Sequence, residues 1–150
     1  MTSIFAYQKV YTPHTIIQMA LPDSQGHDDS LHCTELCTLD GQTYVAVPGG
    51  ITLPEQPPEI KPEAVVLTPE LRARIKAASV HCDLIAERME MKIREHYSLS
   101  DEQYFARIGV GAALGAYAFG DGEQDALMLF GAHVEACRQW GRDERAKLGL

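Results

Sequence analysis

The chain is short of cysteine, of basic residues and of long hydrophobic runs, and each shortage excludes a class of protein. Its four cysteines are too few and too scattered for a disulfide scaffold. Thirteen Lys and Arg against 21 Asp and Glu leave a formal net charge of −8, which argues against nucleic-acid binding because phosphate contacts need clustered cations. No stretch reaches the roughly 20 apolar residues of a transmembrane helix, so we expect no membrane insertion.

The N-terminus also lacks the basic segment and apolar segment of a secretory signal. Together with the scattered cysteines, this pattern predicts synthesis in a reducing cytoplasm. Residues 1–62 hold Lys9 and Lys61 against seven acidic residues. We therefore expect this part of the chain to prefer a basic or neutral partner.

Residues 1–53 have the composition of short β-strands, since their apolar stretches are rich in β-branched and aromatic residues. The sequence Asp40-Gly41-Gln42 separates two of these stretches and is a strong hairpin signal. Residues 54–67 follow, and four of them favour extended polyproline geometry: Pro54, Pro57, Pro58 and Pro62. We predict a small antiparallel β docking domain at 1–53 and a proline-rich linker or arm at 54–67, whose Pro54, Pro57 and Pro58 contact a partner.

Residues 68–150 change to the periodicity of helices. Thr68 is a good N-cap for Pro69, and no Gly or Pro interrupts the apolar seam before Tyr97. Whether this stretch forms one helix or two stays open, with Ser79 as the expected place for a break. Ser100 with Gln103 predicts a second helix from Asp101, and Asp121 with Gln124 predicts a third that ends at a left-handed Gly149. The prediction is an α+β protein: an N-terminal antiparallel sheet, a proline-rich linker and a C-terminal three-helix bundle.

The run "IGVGAALGAYAFGDG" at 108–122 is the least ordinary part of the sequence. Its glycine spacing does not fit a dinucleotide-binding loop. Each glycine in a helix costs about 1 kcal/mol relative to alanine, and close packing offsets such a loss. We therefore predict that a helix from Asp101 to Ala118 packs its small residues against another helix, of this chain or of a second copy. The proposed packing residues are Gly109, Gly111, Ala112 and Gly115.

Three clusters suggest chemistry, and each lacks a necessary part. The first resembles a metal site without a second ligand pair: His27, Asp28, His32, Cys33 and Cys37. We interpret it as a polar turn followed by a strand with both cysteines on one face. His133 and Cys137 lie one helical turn apart without a third orienting group, and His81, Cys82 and Asp83 point to different sides of a helix. We predict no catalytic residue, metal or cofactor.

Trp140, the single tryptophan, lies between Arg138 and Arg142 on the last predicted helix. Tryptophan and arginine are enriched in protein interfaces. These three residues are therefore candidates for a subunit contact. The alternative is an ordinary aromatic residue at the edge of a core.

The sequence from Leu67 to Leu150 resembles small proteins encoded among the tail and tail-fibre genes of tailed bacteriophages and prophages. The similar stretches are "LTPELRARIKAAS", "LIAERMEMKIREHYSLSDEQYFARIGVGAALG" and the ending "HVEACRQWGRDERAKLGL". This resemblance implies a non-enzymatic virion protein of the tail tip, baseplate or fibre attachment. Its partners would be other tail or fibre proteins and further copies of itself. The alternatives are a tail or fibre assembly chaperone and, less in keeping with the spread of basic residues, an acidic inhibitor of a host protein.

Overall fold

The computed structural model describes residues 1–22 and 32–150, and the α+β class expected from the sequence is confirmed. The described part contains six strands: β1 Ser3–Tyr7, β2 Val10–Tyr11, β3 Ile16–Ile17, β4 Thr34–Leu39, β5 Gln42–Val47 and β6 Glu63–Val65. It contains four helices: α1 Pro69–Ala78, α2 Val80–Arg94, α3 Leu99–Ala113 and α4 Glu123–Lys147. The chain forms two compact units, which we call unit 1 (Met1–Leu84 with Glu144–Leu150) and unit 2 (Ile85–Asp143).

The main sheet of unit 1 is antiparallel and has the strand order β4-β5-β1-β6. The predicted hairpin is present between β4 and β5. Asp40 and Gly41 both have positive φ angles, of 50° and 80°, as a two-residue turn between right-twisted strands requires. Strands β2 and β3 pair separately in a two-stranded ribbon.

The fourth strand of the sheet comes from the segment predicted to be a linker. Within residues 1–53, where short strands were predicted, the apolar stretch at 14–21 contributes only β3, outside the main sheet, whereas Val65 of β6 pairs with Ile4 of β1. Three proline-free residues after Pro62 are enough to satisfy backbone groups on the open edge of β1. Proline is tolerated just before an edge strand, so the proline-rich composition of this segment did not exclude a strand there.

The proline-rich segment is held on unit 1 along most of its length, so an extended arm is not confirmed. The side chain of Gln56 accepts a hydrogen bond from the Ala20 N–H at 2.9 Å and donates to the Ala20 carbonyl at 3.0 Å. Ile60 is buried in a core cluster of the sheet. Pro57 is half-buried, and only Pro54 and Pro58 among the candidate arm residues are exposed.

A core cluster of unit 1 joins the sheet to helical residues. Ile4 and Leu36 from the sheet pack with Ile75 of α1, Cys82 of α2 and Leu150. The compact units therefore differ from the boundaries expected at residues 53 and 67. The reason is that apolar residues in the first half of the predicted helical segment pack against the sheet.

The end of α4 belongs to the same unit. Gly149 has a φ of 78°, and the N–H groups of Gly149 and Leu150 donate to the carbonyls of Ala146 and Arg145, each at 3.0 Å. This is a Schellman motif, and the predicted left-handed Gly149 is confirmed. The Thr2 hydroxyl also donates to the Lys147 carbonyl at 2.8 Å.

A β-bulge in β4 changes which side of the sheet its residues face. The pairing of β4 with β5 shifts register between Glu35 and Cys37. An extra residue interrupts the simple alternation of side chains. Cys33 consequently packs against one core cluster and Cys37 against the other, so the prediction that both cysteines share a face was wrong. Burial raises the pKa of both thiols.

The stretch that was left open as one helix or two forms two helices, with the break at the expected residue, and the start of α3 differs from the predicted one. The seam breaks at Ser79, whose backbone is extended, and this break gives four helices in the described residues instead of three. Helix α3 begins at Leu99 because Ser98 is its N-cap, where the hydroxyl accepts from the Asp101 N–H at 3.1 Å. The Asp101 carboxylate accepts from the Ser98 N–H in return, and this reciprocal capping box replaces the predicted one at Ser100.

The two capping serines should respond to alanine in opposite directions. Ser79 is fully buried, and its hydroxyl has no hydrogen-bond partner within the described residues. A buried unsatisfied hydroxyl costs about 1–3 kcal/mol, so Ser79→Ala should raise the free energy of unfolding by roughly 1 kcal/mol. Ser98→Ala should lower it by about 1 kcal/mol because it removes a working N-cap. Urea denaturation measures both, and equal losses would contradict the assignment.

Candidate assembly surface

Helix α3 ends within the glycine-rich run, at Ala113, and not at Ala118 as predicted. Gly115 follows the C-cap residue Leu114 with a φ of 71°. The Ala116 N–H donates to the Gly111 carbonyl at 2.8 Å and the Gly115 N–H to the Ala112 carbonyl at 3.1 Å. These bonds form a Schellman motif. Gly115 is therefore a helix-ending residue and is not part of a packed helical face.

The other two glycines of α3 make room for different neighbours. A Cβ atom on Gly111 would lie 2.8 Å from the Cβ of Tyr117, in the chain that returns after the helix. A Cβ atom on Gly109 would lie 3.4 Å from the Leu127 side chain of α4. Gly109 thus faces a helix of the same chain, whereas Gly111 accommodates the loop. Ala112 is half-buried beside them.

Glu123, the first residue of α4, ties this loop to α3. Its carboxylate accepts hydrogen bonds from the Tyr104 hydroxyl, from the Tyr117 hydroxyl at 2.7 Å and from the Gly120 N–H at 2.8 Å. The bond from Tyr104 contributes most to lowering the pKa of Glu123, and the same bond raises the pKa of Tyr104 to about 12. We call these four residues the Glu123 clamp.

The Glu123 clamp should make the stability of the fold depend on pH in both the acidic and the alkaline range. A carboxyl with a lowered pKa stabilises the fold above its unfolded pKa, and this contribution is lost as the pH falls through the folded pKa. A tyrosine with a raised pKa stabilises the fold below its unfolded pKa of 10.0, and that contribution is lost by about pH 12. Glu123→Gln should flatten both limbs of the melting-temperature profile relative to wild type. It should also shift one tyrosinate absorbance transition to lower pH, and an unchanged titration would contradict the clamp.

The interior of unit 2 is held by aromatic rings as well as by aliphatic side chains. Phe105 of α3 stacks on Phe130 of α4 with a centroid distance of 4.9 Å, and Tyr97 meets both rings edge-on. Such pairs contribute about 0.5–1.5 kcal/mol beyond their buried area. These rings lie far apart in the sequence, so periodicity within a single helix gave no sign of the cluster.

Unit 2 also exposes apolar side chains on the sides of its helices that face away from this cluster. On α3 the exposed set has helical spacing: Leu99, Ala106, Val110, Ala113, and Leu114 just past its end. On α4 it comprises Met128, Leu129, Ala132 and Ala136. We call these sets the α3 outer face and the α4 outer face. Leu114 is 77% exposed, and Met128 and Leu129 are each 67% exposed. Large contiguous apolar patches mark interaction sites in proteins, so these two faces are candidates for an assembly surface.

The tryptophan and arginine candidates are partly engaged within unit 2. Trp140 is half-buried, and the Lys92 ammonium lies 4.9 Å from its ring centroid in a cation–π contact. Arg142 bonds to Glu135 and Gln139 along α4, whereas Arg138 is exposed. The arrangement of Trp140 favours the alternative of an aromatic residue at the edge of a core.

The structure tests two of the proposed reactive clusters. The Cys137 sulfur lies 3.6 Å from Nε2 of His133, but the same nitrogen lies 3.2 Å from the Lys92 carbonyl oxygen. Cys137 is only 6% exposed, so little of its sulfur is open to a substrate. His27 and Asp28 of the metal candidate lie outside the described residues. Across residues 1–22 and 32–150, no three His, Cys, Asp or Glu side chains gather as metal ligands.

In comparisons with known proteins, no protein-family model, curated protein or solved structure matches the chain. Among the helices of the described segments, none has the length and hydropathy that a membrane crossing requires. The functional conclusion therefore rests on the sequence resemblance of residues 67–150 and on the outer faces of unit 2.

Proposed function

We propose that the protein is a non-enzymatic structural component of a bacteriophage tail, at the tail tip, the baseplate or the fibre attachment, and acts by protein–protein assembly. The resemblance of Leu67–Leu150 to tail-region proteins supports the phage assignment. The exposed apolar surface of unit 2 supports the assembly role. On this proposal the chain is made in the bacterial cytoplasm and becomes part of the virion, without nucleic-acid or membrane partners.

The observation that carries the proposal is the balance of buried and exposed apolar side chains in unit 2. The buried hydrophobic residues are Ile85, Ile93, Ile108 and Cys137. The exposed large ones are twice as many: Met91, Leu99, Tyr104, Val110, Leu114, Tyr117, Met128 and Leu129. Burying apolar area stabilises by about 25 cal/mol per Å², so this unit gains most from a neighbour that covers it.

An exposed charged residue beside each outer face suggests how copies associate. Exposed Arg107 accompanies the α3 outer face, and exposed Asp125 accompanies the α4 outer face. A contact between the α3 face of one copy and the α4 face of the next is heterologous, and heterologous contacts build rings or filaments. We infer that helices of neighbouring subunits complete the three-helix bundle that the sequence predicts for residues 68–150, and that unit 1 provides docking to other tail proteins.

Single charges on the outer faces should separate assembly from folding. We expect Leu114→Glu and Met128→Glu each to weaken self-association at least tenfold in sedimentation velocity. A carboxylate in such a contact would lose its hydration without a partner. The melting temperature of the dilute protein should change little, because both side chains are already in water. Ser100→Glu and Gln8→Glu are matched controls that add the same charge at exposed polar positions away from both outer faces. Equal association of all four variants would contradict the proposal.

A tail or fibre assembly chaperone is the second candidate, and the same outer faces favour it. Exposed apolar helical surface also suits transient binding to an incomplete partner. The two functions differ in the fate of the chain, because a chaperone leaves before the particle is complete.

A further inference from the structure

The two edges of the main sheet in unit 1 differ in what packs beside them. Strand β4, at one edge, lies beside α1, where Ile75 packs with Leu36 and Arg74 forms an ion pair with Asp40 at 2.7 Å. Strand β6, at the other edge, pairs only with β1 within the described residues. An edge strand turns alternate N–H and C=O groups outward, and another β-strand is the structure that satisfies them in series.

Two open depressions adjoin β6, with volumes of about 640 Å³ and 280 Å³, and residues of β1 also line both. Ala64, Val65 and Val66 line both of them. Val66 is 91% exposed, although it is apolar and directly follows the strand. A segment paired with β6 would therefore place its side chains next to two ready-made recesses.

The ends of this edge carry different charges. Glu59, Lys61 and Glu63 line the larger depression and leave it one negative charge in excess. Arg72 is the charged residue that lines the smaller one. A strand that runs antiparallel to β6 has its N-terminal end at Arg72 and its C-terminal end at Glu59 and Glu63.

We propose that the β6 edge is an acceptor site for an extended strand of a partner protein, antiparallel to β6, acidic at its N-terminal end and basic at its C-terminal end. Backbone hydrogen bonds give such strand addition its affinity, and recesses for side chains give it specificity. The proposal concerns unit 1 alone, so it holds whether or not the outer faces of unit 2 mediate assembly.

A second copy of the chain is disfavoured in two registers that are open to a partner strand. Pairing two β6 strands about Glu63 would place the two carboxylates opposite each other, which is destabilising. Pairing them about Ala64 would set Pro62, which has no N–H, against Val66. Pairing them about Val65 sets Ala64 against Val66 and meets neither obstacle, so the test must distinguish a second copy from a partner strand. Short edge strands bounded by proline and charge are a common means of preventing copies from pairing with one another.

The test uses the full chain labelled with ¹⁵N and the probe peptide acetyl-DVTVTVK-amide. We expect the probe to shift the amide signals of residues 63–66 first and most. A fully N-methylated peptide of the same sequence should bind at least tenfold more weakly because it cannot donate. Arg72→Glu should weaken the probe several-fold, and this variant should prefer acetyl-KVTVTVK-amide, which offers a lysine to each of its two acidic ends.

Three results would overturn the acceptor site. One is the absence of signal changes at residues 63–66 at any probe concentration. Another is equal binding of the methylated and unmethylated peptides, which would mean that backbone pairing is not involved. The third is a change of the same signals with protein concentration alone, which would make a second copy the occupant. None of these results bears on the association measured for Leu114→Glu and Met128→Glu.

Discussion

Replacing Leu150 by alanine should lower the free energy of unfolding by about 2–3 kcal/mol. Leu150 is 7% exposed and packs with Ile4, Ile75 and Cys82 in the core of unit 1. Truncating a buried leucine to alanine typically costs 2–5 kcal/mol, depending on how far the site collapses. The lower part of that range applies because Leu150 follows the last helix and can shift with few constraints. Urea denaturation followed by circular dichroism gives the value.

Val66→Ala is the matched control for Leu150→Ala. It also shortens an aliphatic side chain in unit 1, but Val66 is 91% exposed. Exposed substitutions usually change stability by less than about 0.5 kcal/mol. If both variants cost equally little, the end of α4 does not belong to the core of unit 1.

Alanine at Gly111 should destabilise the chain by about 1–3 kcal/mol, the usual cost of overpacking. Its Cβ would stand 2.8 Å from the Cβ of Tyr117, and the loop that carries Tyr117 is fixed at Gly115 and at Glu123. Helix propensity alone predicts the opposite, a gain of about 0.5–1 kcal/mol. The sign of the change in thermal or urea denaturation therefore decides between loop contact and simple propensity.

Gly131→Ala is the control for that experiment. Gly131 lies within α4, is exposed, and has no atom within 4 Å of the position where a Cβ would stand. Alanine there should stabilise the chain by about 0.5–1 kcal/mol. A loss at both positions would mean that the two helices tolerate no added methyl group for reasons unrelated to Tyr117.

Structural features that depend on only a few adjacent residues were predictable from the sequence. The Asp40-Gly41 turn, the Thr68 cap of α1 and the left-handed Gly149 all appear in the structure. Each depends on backbone conformations that only certain residue types adopt or cap. The predicted start of α3 was wrong because Ser98 and Ser100 are both suitable N-cap residues. The hydrogen bond from Ser98 to the Asp101 carboxylate decided the outcome.

Features that depend on distant partners were not predictable. Strand β6 exists because β1 offers an open edge, and its own composition only indicates a proline-rich extended chain. The bulge in β4 reversed the face of Cys37 without any glycine or proline to mark it. For the candidate surface, α3 carries apolar residues on two sides. Periodicity could not tell that Ile108 is buried whereas Val110 is exposed.

The central claim is that the chain is a structural part of the tail, and the composition of purified particles tests it most directly. On the proposed function a phage or prophage encodes the chain, and quantitative mass spectrometry of its purified particles would measure the copy number of the chain against a known tail protein. The account predicts a fixed, integer-like ratio to that protein that survives high-salt washing and is lost in particles carrying Leu114→Glu. Abundant chain in the infected-cell lysate with none in the purified particles would contradict the structural role and leave the chaperone as the better description.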